Sequence, residues 1–176
     1  MPQSAVELER WKASVGEILM TRRVSEVERK WLVEALPNLS RLKGVKIAQG
    51  YIAVSPEGTE VRLRKEGKRF FLTVKTGAGL VRGEVEVELS RKQFTPLWKS
   101  TRERCLEKVR YVLEYSSKQI ELDVYKQRLA GLAVAEVEFK SRKESANFSP
   151  PEWFGKEVTE NKDFKNVHLA GPKKKK

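Results

Sequence analysis

Cysteine and histidine are almost missing from this 176-residue sequence, which contains one of each, Cys105 and His168. A single cysteine cannot form an intrachain disulfide, and the two residues together cannot supply a Cys/His zinc site. Any Ser-His-Asp triad would depend on His168 alone. We interpret Cys105 as a small apolar packing residue, and a chain with a single cysteine suits a reducing compartment.

Long hydrophobic runs are also missing, since no apolar stretch approaches the roughly 18 residues that a membrane-spanning helix requires. Glu7, Glu9, Arg10 and Lys12 lie where a signal peptide would need an uncharged run. We therefore expect a cytoplasmic protein with no membrane partner. The chain has no Gly-x-x-x-x-Gly-Lys-Ser/Thr run either, which excludes phosphate binding by a P-loop.

Acidic residues are outnumbered, with 24 Asp and Glu against 36 Lys and Arg, and the net charge is +12. This excess favours an anionic partner such as nucleic acid, a membrane surface or polyphosphate. The lysines at 173–176 carry four of these charges by themselves, which weakens the case for nucleic acid. The length, with 39% hydrophobic and 34% charged residues, fits one domain with a core.

Apolar alternation and turn residues predict a mainly β, α+β fold. The strands are expected at 26–33, 45–54, 60–65, 69–75, 81–89, 107–115, 119–127 and 133–140. Capping-box spacing at Ser90 and Ser141 predicts a helix over 91–101 and a short one that Pro150-Pro151 must stop. Strands and helices do not alternate, so we expect an antiparallel sheet, and eight such strands can close into a barrel.

The chain divides into three predicted parts. Residues 1–24 form an extension with apolar residues at helical spacing, and residues 25–170 form the domain. Within the domain, residues 152–170 are expected to be helical in part. Residues 171–176 are a disordered basic tail.

Charged residues two positions apart recur in six of the predicted strands. Because side chains alternate faces along a strand, each pair places both charges on one face of the sheet. The acidic members of this face are Glu26, Glu28, Glu84, Glu86, Glu121, Asp123, Glu136 and Glu138. The basic members are Lys30, Arg62, Arg64, Lys75, Arg82, Lys108 and Arg110.

So many carboxylates on one face require cations to neutralise them, and carboxylate oxygens suit Mg²⁺ or Mn²⁺. The arginine pairs offer forked donors to phosphate oxygens, so the face predicts a ligand with several negative charges, such as a triphosphate. For one strand alone, the alternative is a solvated outer face with cross-strand ion pairs. Most aromatic residues are interpreted as packing between the opposite face and helices.

Glu26-Val27-Glu28-Arg29-Lys30 resembles the Glu-x-Glu-x-Lys signature of the triphosphate tunnel metalloenzymes, also called the CYTH superfamily. The later charged pairs follow in the order of that family, and Pro150 to Thr159 resembles its C-terminal region. The match covers residues 25–170. It implies an eight-stranded antiparallel β-barrel that forms a tunnel, in a divalent-metal-dependent triphosphatase. Similarity to the bacterial inorganic tripolyphosphatase-like branch implies hydrolysis of tripolyphosphate to pyrophosphate and phosphate.

The resemblance also implies roles for residues, with two Mg²⁺ or Mn²⁺ ions per site. The metal ligands would be Glu26, Glu28, Glu84, Glu86, Asp123, Glu136 and Glu138. The phosphate-binding residues would be Arg62, Arg64, Lys75, Arg82, Lys108 and Arg110. The catalytic residues would be Glu28, Lys30, Glu86 and Asp123, with Lys30 either an ion-pair partner of the acids or a group near the water.

Several alternatives stay open at this point. The substrate could instead be thiamine triphosphate or a nucleoside triphosphate, and a class IV-type adenylate cyclase would use the same tunnel. A protein of another class would bind polyphosphate or RNA without catalysis, although co-facing acids would repel such a ligand without metal. The expected partner is a small triphosphate, not nucleic acid, and the protein would be a monomer or a homodimer.

Overall fold

The computed structural model describes residues 27–76, 83–101 and 104–171. Eight antiparallel strands form one sheet in this part of the chain, as predicted. They are β1 (Val27–Leu32), β2 (Val45–Val54), β3 (Glu60–Glu66), β4 (Arg69–Thr76), β5 (Gly83–Leu89), β6 (Cys105–Tyr115), β7 (Lys118–Tyr125) and β8 (Ala133–Phe139). The hydrogen-bonded order is β1-β8-β7-β6-β2-β3-β4-β5, with no pairing between β1 and β5 among the described residues. The sheet has a tunnel-like form, because all eight strands line one cavity.

Three short helices accompany the sheet in the described ranges. Helix α1 (Arg91–Trp98) has the predicted capping box at Ser90 and continues into a 3-10 turn, Lys99–Thr101. Helix α2 (Arg142–Ala146) has only half a box, because the Glu144 carboxylate accepts from the backbone N–H of Lys140 at 2.7 Å instead of returning to Ser141. It ends at Ala146 with Asn147 as its C-cap, ahead of the two prolines. Helix α3 is a single turn, Asn166–Leu169.

The apolar face of β1, β7 and β8 carries a core cluster outside the charged face. Trp31 and Phe139 are 2% and 1% exposed, and Phe148 and Phe154 from the C-terminal part of the chain pack against them. The ring centroids of Trp31 and Phe154 lie 4.8 Å apart, and those of Phe139 and Phe148 lie 5.2 Å apart. This aromatic packing fixes which face of the sheet is turned away from the charges.

A second apolar cluster closes one end of the charged face. Leu106, Tyr125 and Val134 share that face, because each lies two positions from a predicted charged residue on its own strand. They pack with Tyr51 and with Ala170, next to α3. The Tyr125 hydroxyl also donates to Asn166 Oδ1 at 2.6 Å. Helix α3 thus covers this end of the sheet.

The C-terminal segment 155–159 runs along the free edge of β1. Gly155 N donates to Leu32 O at 2.8 Å, Leu32 N donates to Lys156 O at 2.9 Å, and Val158 N donates to Lys30 O at 2.8 Å. Trp31 and Glu157 form an antiparallel bridge between these bonds. The segment therefore takes the place of a ninth strand over a few residues and satisfies an edge that would otherwise be unpaired.

Some predictions concern residues outside the described ranges. The extension 1–24 and most of the tail 171–176 are among them, and so are Glu26 and Arg82. The domain boundaries therefore stay predictions. None of the helices in residues 27–76, 83–101 and 104–171 combines the length and hydrophobicity needed to span a bilayer.

Candidate functional site

The charged face encloses a cavity of about 930 Å³ to which all eight strands contribute. The predicted site residues that line it are Glu28, Lys30, Arg62, Arg64, Lys75, Glu84, Glu86, Lys108, Arg110, Glu121, Glu136 and Glu138. Alternation along the strands therefore brings these side chains together, as the sequence predicts. The roles assigned to them stay predictions.

A three-residue ion-pair group joins β1 to β8. Lys30 lies opposite Glu136 in the strand register, and its Nζ is 2.7 Å from Glu136 Oε1 and 3.5 Å from Glu28 Oε1. Burial opposes the charge on Lys30, but the two carboxylates outweigh it and raise the pKa of Lys30. Burial and the Glu136 carboxylate raise the pKa of Glu28. The Lys30, Lys108 and Arg110 cations overcome burial and lower the pKa of Glu136 to about 2.

Asp123 lies behind the cavity wall in a fully buried network. Its carboxylate is 0% exposed and accepts from Lys108 Nζ. Arg110 donates to both its oxygens, from Nε at 2.7 Å and from Nη2 at 2.6 Å. Burial lowers the pKa of Lys108, so the ammonium depends on Asp123 to keep its charge. In the structure Asp123 holds two cations in place, and its predicted role at a metal or a water stays a prediction.

A second charged group lies across β3, β4 and β5. Arg64 Nη2 donates to both oxygens of Glu86 at 3.1 Å, and Thr73 Oγ1 donates to Glu86 Oε2 at 2.8 Å. Arg62 Nη2 donates to the Thr73 hydroxyl at 3.1 Å. Burial and the neighbouring Arg62 guanidinium lower the pKa of Arg64. Next to this group, Lys75 pairs with Glu84 at 3.1 Å.

Two donors in this second group have no acceptor among the described residues. They are the buried Nε–H groups of Arg62 and Arg64. A buried N–H without a partner carries the full desolvation cost of the group, on the order of 1–3 kcal/mol. The pair therefore offers unused hydrogen-bonding capacity beside the cavity, and a guanidinium suits phosphate or carboxylate oxygens.

Two carboxylates that could ligate a hard cation lie on the neighbouring strands β1 and β8. Glu28 and Glu138 lie opposite each other in the register, and the Glu28 side chain is 45% exposed. In the described ranges, however, no group of three or more His, Cys, Asp or Glu side chains has the arrangement of a metal site. The all-oxygen donor set fits Mg²⁺ or Mn²⁺ in chemistry, and Glu26 lies outside the described residues.

Sequence reasoning missed the neutral and C-terminal residues of the cavity. Gln49 and Tyr51 line it from β2, where strand alternation alone could have assigned them to the charged face, and Gln49 donates to the Tyr51 hydroxyl at 2.7 Å. Three further residues line the cavity from the part of the chain that follows β8, namely Thr159, Glu160 and Lys165. No local pattern marks those three residues, and Thr159 is positioned by a contact with Lys30 of β1, far away in sequence.

Curated proteins similar to this chain are inorganic triphosphatases, although no family model matches it. An inorganic triphosphatase from Nitrosomonas europaea is 42% identical over 148 residues, which is 84% of this chain and 97% of that protein. An inorganic triphosphatase from Acetivibrio thermocellus is 33% identical over 147 residues, which is 82% of this chain and 92% of that protein.

Solved structures resemble the chain over most of its length. A crystal structure of an inorganic triphosphatase has a TM-score of 0.66 and 40% identity, and the match covers 84% of this chain and 95% of that one. A candidate adenylate cyclase from Bacillus halodurans has a TM-score of 0.53 over 72% of this chain and 86% of its own, at 15% identity. At that identity the similarity concerns the fold alone. The expected tunnel fold is thus confirmed.

Proposed function

The chain belongs to the inorganic triphosphatase family, within the CYTH superfamily, and from this we propose that it hydrolyses inorganic triphosphate to pyrophosphate and phosphate in the charged cavity. The relatives that carry this name match nearly their whole length to the chain. The cavity, about 930 Å³ in volume, is ample for a small polyanion.

One observation carries the proposal for the ligand. The buried Nε–H groups of Arg62 and Arg64 have no acceptor in the described structure. Both arginines line the cavity, and phosphate oxygens are suitable acceptors for guanidinium N–H groups. Charge-assisted bonds of this kind are about twice as strong as neutral ones, so the two arginines would contribute to phosphate binding.

We propose that a divalent cation, Mg²⁺ or Mn²⁺, binds with the substrate. Glu28 and Glu138, which lie opposite each other in the register, would hold it together with Glu26, because carboxylate oxygens suit hard cations. When bound, the ion would neutralise phosphate charge and polarise phosphate oxygens. The number of ions and the choice between the two metals belong to the proposal.

The side chains of the chain itself would orient the substrate and stabilise the charge that develops during phosphoryl transfer. Such transfer asks a protein mainly for positioning and electrostatic stabilisation. Arg110 and Lys108 are preorganised by Asp123, so they can face the phosphates without a change of conformation. Lys30 is held between Glu28 and Glu136. Glu86 accepts a hydrogen bond from Arg64. We propose that the Glu86 carboxylate orients the attacking water.

The test is phosphate release from inorganic triphosphate by purified protein with Mg²⁺ or with Mn²⁺. We expect pyrophosphate and phosphate as products, loss of activity with a chelator and recovery on adding the metal. Glu28→Gln is expected to lose at least about a hundredfold in kcat, while Glu88→Gln, outside the cavity, serves as control. No release from triphosphate with either metal would contradict the proposal.

A substrate panel with ATP and thiamine triphosphate separates the remaining possibilities. Cyclic AMP from ATP would identify a cyclase, and a higher kcat/KM for thiamine triphosphate would move the substrate assignment. Calorimetry with a chelator present addresses the non-catalytic alternative. Tight triphosphate binding without metal and without turnover would identify a binder.

A further inference from the structure

The C-terminal segment is joined to the signature strand by a short chain of hydrogen bonds that begins at Arg29. Arg29 lies on the face opposite to Glu28 and Lys30 and donates to Glu157 through two bonds, Nε to Oε1 at 2.9 Å and Nη2 to Oε2 at 2.6 Å. Its third bond goes from Nη1 to Ser145 O at 2.8 Å. The guanidinium also lies 4.7 Å from the Trp31 ring centroid, so its position is fixed on several sides.

The Glu157 carboxylate in turn orients the hydroxyl group of Thr159. Thr159 Oγ1 donates to Glu157 Oε1 at 2.7 Å, which leaves the lone pairs of the hydroxyl oxygen to face β1. That oxygen accepts from the backbone N–H of Lys30 at 3.0 Å. The backbone carbonyl of Lys30 accepts from Val158 N at 2.8 Å. Both backbone groups of Lys30 on the free edge of β1 are therefore bound by the C-terminal segment.

We infer that Glu157 and Thr159 are positioning residues of the triphosphate site, acting through Lys30. The hydrogen-bonded chain Arg29–Glu157–Thr159 fixes the backbone of Lys30, and the ammonium of Lys30 is thereby kept between Glu28 and Glu136. This inference rests on the proposed function, since it gives the chain of bonds a role in the same site.

The burial of Lys30 makes its backbone position matter. The Lys30 side chain is 11% exposed and its Nζ lies 2.7 Å from Glu136 Oε1. β1 pairs with β8 on one edge, and on the other edge its backbone is bound by segment 155–159 alone among the described residues. Without the Thr159 hydroxyl, the Lys30 N–H would lose its acceptor and this edge could shift. A displacement of a charged catalytic group by about 1 Å is enough to cost about a hundredfold in rate.

The matched variants are Thr159→Val and Thr159→Ser. Valine keeps the shape of threonine and removes the hydroxyl, whereas serine keeps the hydroxyl. We expect Thr159→Val to lower kcat by about tenfold to a hundredfold, as outer-shell changes do, with KM within about twofold. Thr159→Ser is expected to stay within about twofold of the wild-type kcat. Equal kcat in wild type and Thr159→Val, or equal losses in both variants, would overturn the inference.

Glu157→Gln provides a second approach with a control elsewhere in the sheet. Arg69 and Glu88 form the same kind of two-bond pair between β4 and β5, at 3.2 and 2.8 Å, at the other end of the strand order from β1. We expect Glu157→Gln to lower kcat by about tenfold and Glu88→Gln to leave it unchanged. Equal effects of the two changes would mean that the pair at Glu157 contributes no more than a surface ion pair.

Hydrogen exchange of backbone amides tests the same chain of bonds without a measurement of enzyme activity. In the wild type the Lys30 N–H is expected to be protected, and in Thr159→Val its exchange should accelerate by at least about tenfold. Unchanged protection would overturn the inference even if the variant were less active. Conversely, a wild-type protein without triphosphatase activity would contradict the proposed function, while the exchange measurement would still decide whether Thr159 holds Lys30.

Discussion

Several charged residues on the cavity face are held in close ion pairs with residues of opposite charge. Lys30, Asp123 and Glu136 each contact at least one opposite charge, and Asp123 is completely buried. Breaking one such pair leaves an uncompensated charge, so substitutions here would affect folding as well as activity. Arg62 and Arg64 differ, because each keeps one buried N–H without an acceptor in the described residues.

Replacing either arginine by glutamine should weaken substrate binding. One lost charge-assisted hydrogen bond corresponds to about 1.5–3 kcal/mol, so Arg62→Gln or Arg64→Gln is expected to raise KM for triphosphate by about tenfold to a hundredfold. Steady-state kinetics would measure this, with Arg69→Gln as control because Arg69 is 65% exposed and outside the cavity. A KM that stays at the wild-type value in both variants would mean that these arginines do not bind phosphate.

The pair of Arg29 and Glu157 should make stability depend on pH in acid. Hydrogen bonds from Arg29 lower the pKa of Glu157 below the value near 4.3 of an unfolded chain. The stabilising effect of the ionised Glu157 carboxylate is therefore complete above about pH 4.3. It is lost as pH falls through the lower pKa of Glu157 in the folded state. Urea unfolding should show wild type and Glu157→Gln differing less at pH 3 than at pH 6. A difference that is independent of pH would contradict this expectation.

The strands are the elements that the sequence predicts best. Alternating apolar and charged residues placed β2 at 45–54, which is its observed range, and put the other strands within about two residues of theirs. The same alternation assigned the cavity side chains to one face. Alternation does not show how deeply a side chain is buried, so the burial of Asp123 behind Lys108 and Arg110 was not predicted. It also could not assign Glu157 and Thr159, because they reach β1 across 128 and 129 residues of sequence.

Helix α1 depends on a glycine in β2 for its close packing on the sheet. A Cβ at Gly50 would lie 2.7 Å from Thr101 Cγ2 and 3.3 Å from Trp98 Cη2. We expect Gly50→Ala to destabilise the protein by about 1–3 kcal/mol through overpacking. Chemical denaturation would measure the change.

Thr101→Ser offers a rescue of that variant. Serine removes the Cγ2 atom that an alanine would meet first and keeps the hydroxyl that donates to Trp98 O at 2.9 Å. The double variant Gly50→Ala/Thr101→Ser should therefore recover part of the lost stability. A double variant that is less stable than Gly50→Ala alone would exclude this steric explanation.

Across the whole molecule, the net charge and the charge of the cavity are different quantities. The chain carries +12, yet nine acidic and eight basic side chains line the cavity in the described ranges. The positive excess therefore lies elsewhere, and the cavity alone has no surplus of positive charge to hold a triphosphate. A divalent cation would supply that surplus.

Thermal unfolding should accordingly respond to triphosphate and Mg²⁺ together more than to either alone. At a ligand concentration of 100 Kd, binding stabilises the folded state by about 2.7 kcal/mol. We expect the corresponding rise in Tm with both ligands present and a small rise in Tm with triphosphate alone. In Glu28→Gln, the Mg²⁺-dependent part of the rise should be lost. A full increment in the presence of a chelator would refute the need for a cation.

The bridge between Trp31 and Glu157 also constrains how the molecule folds. β1 is bound on one edge by β8 and on the other by segment 155–159, so both of its neighbours come from the far end of the described chain. Contacts over such separations form only after a large loop has closed, and they slow folding. The meander of β2 to β5 can assemble locally first. The strand that carries Glu28 and Lys30 is then among the last to be secured, so partly folded chains would lack an assembled triphosphate site.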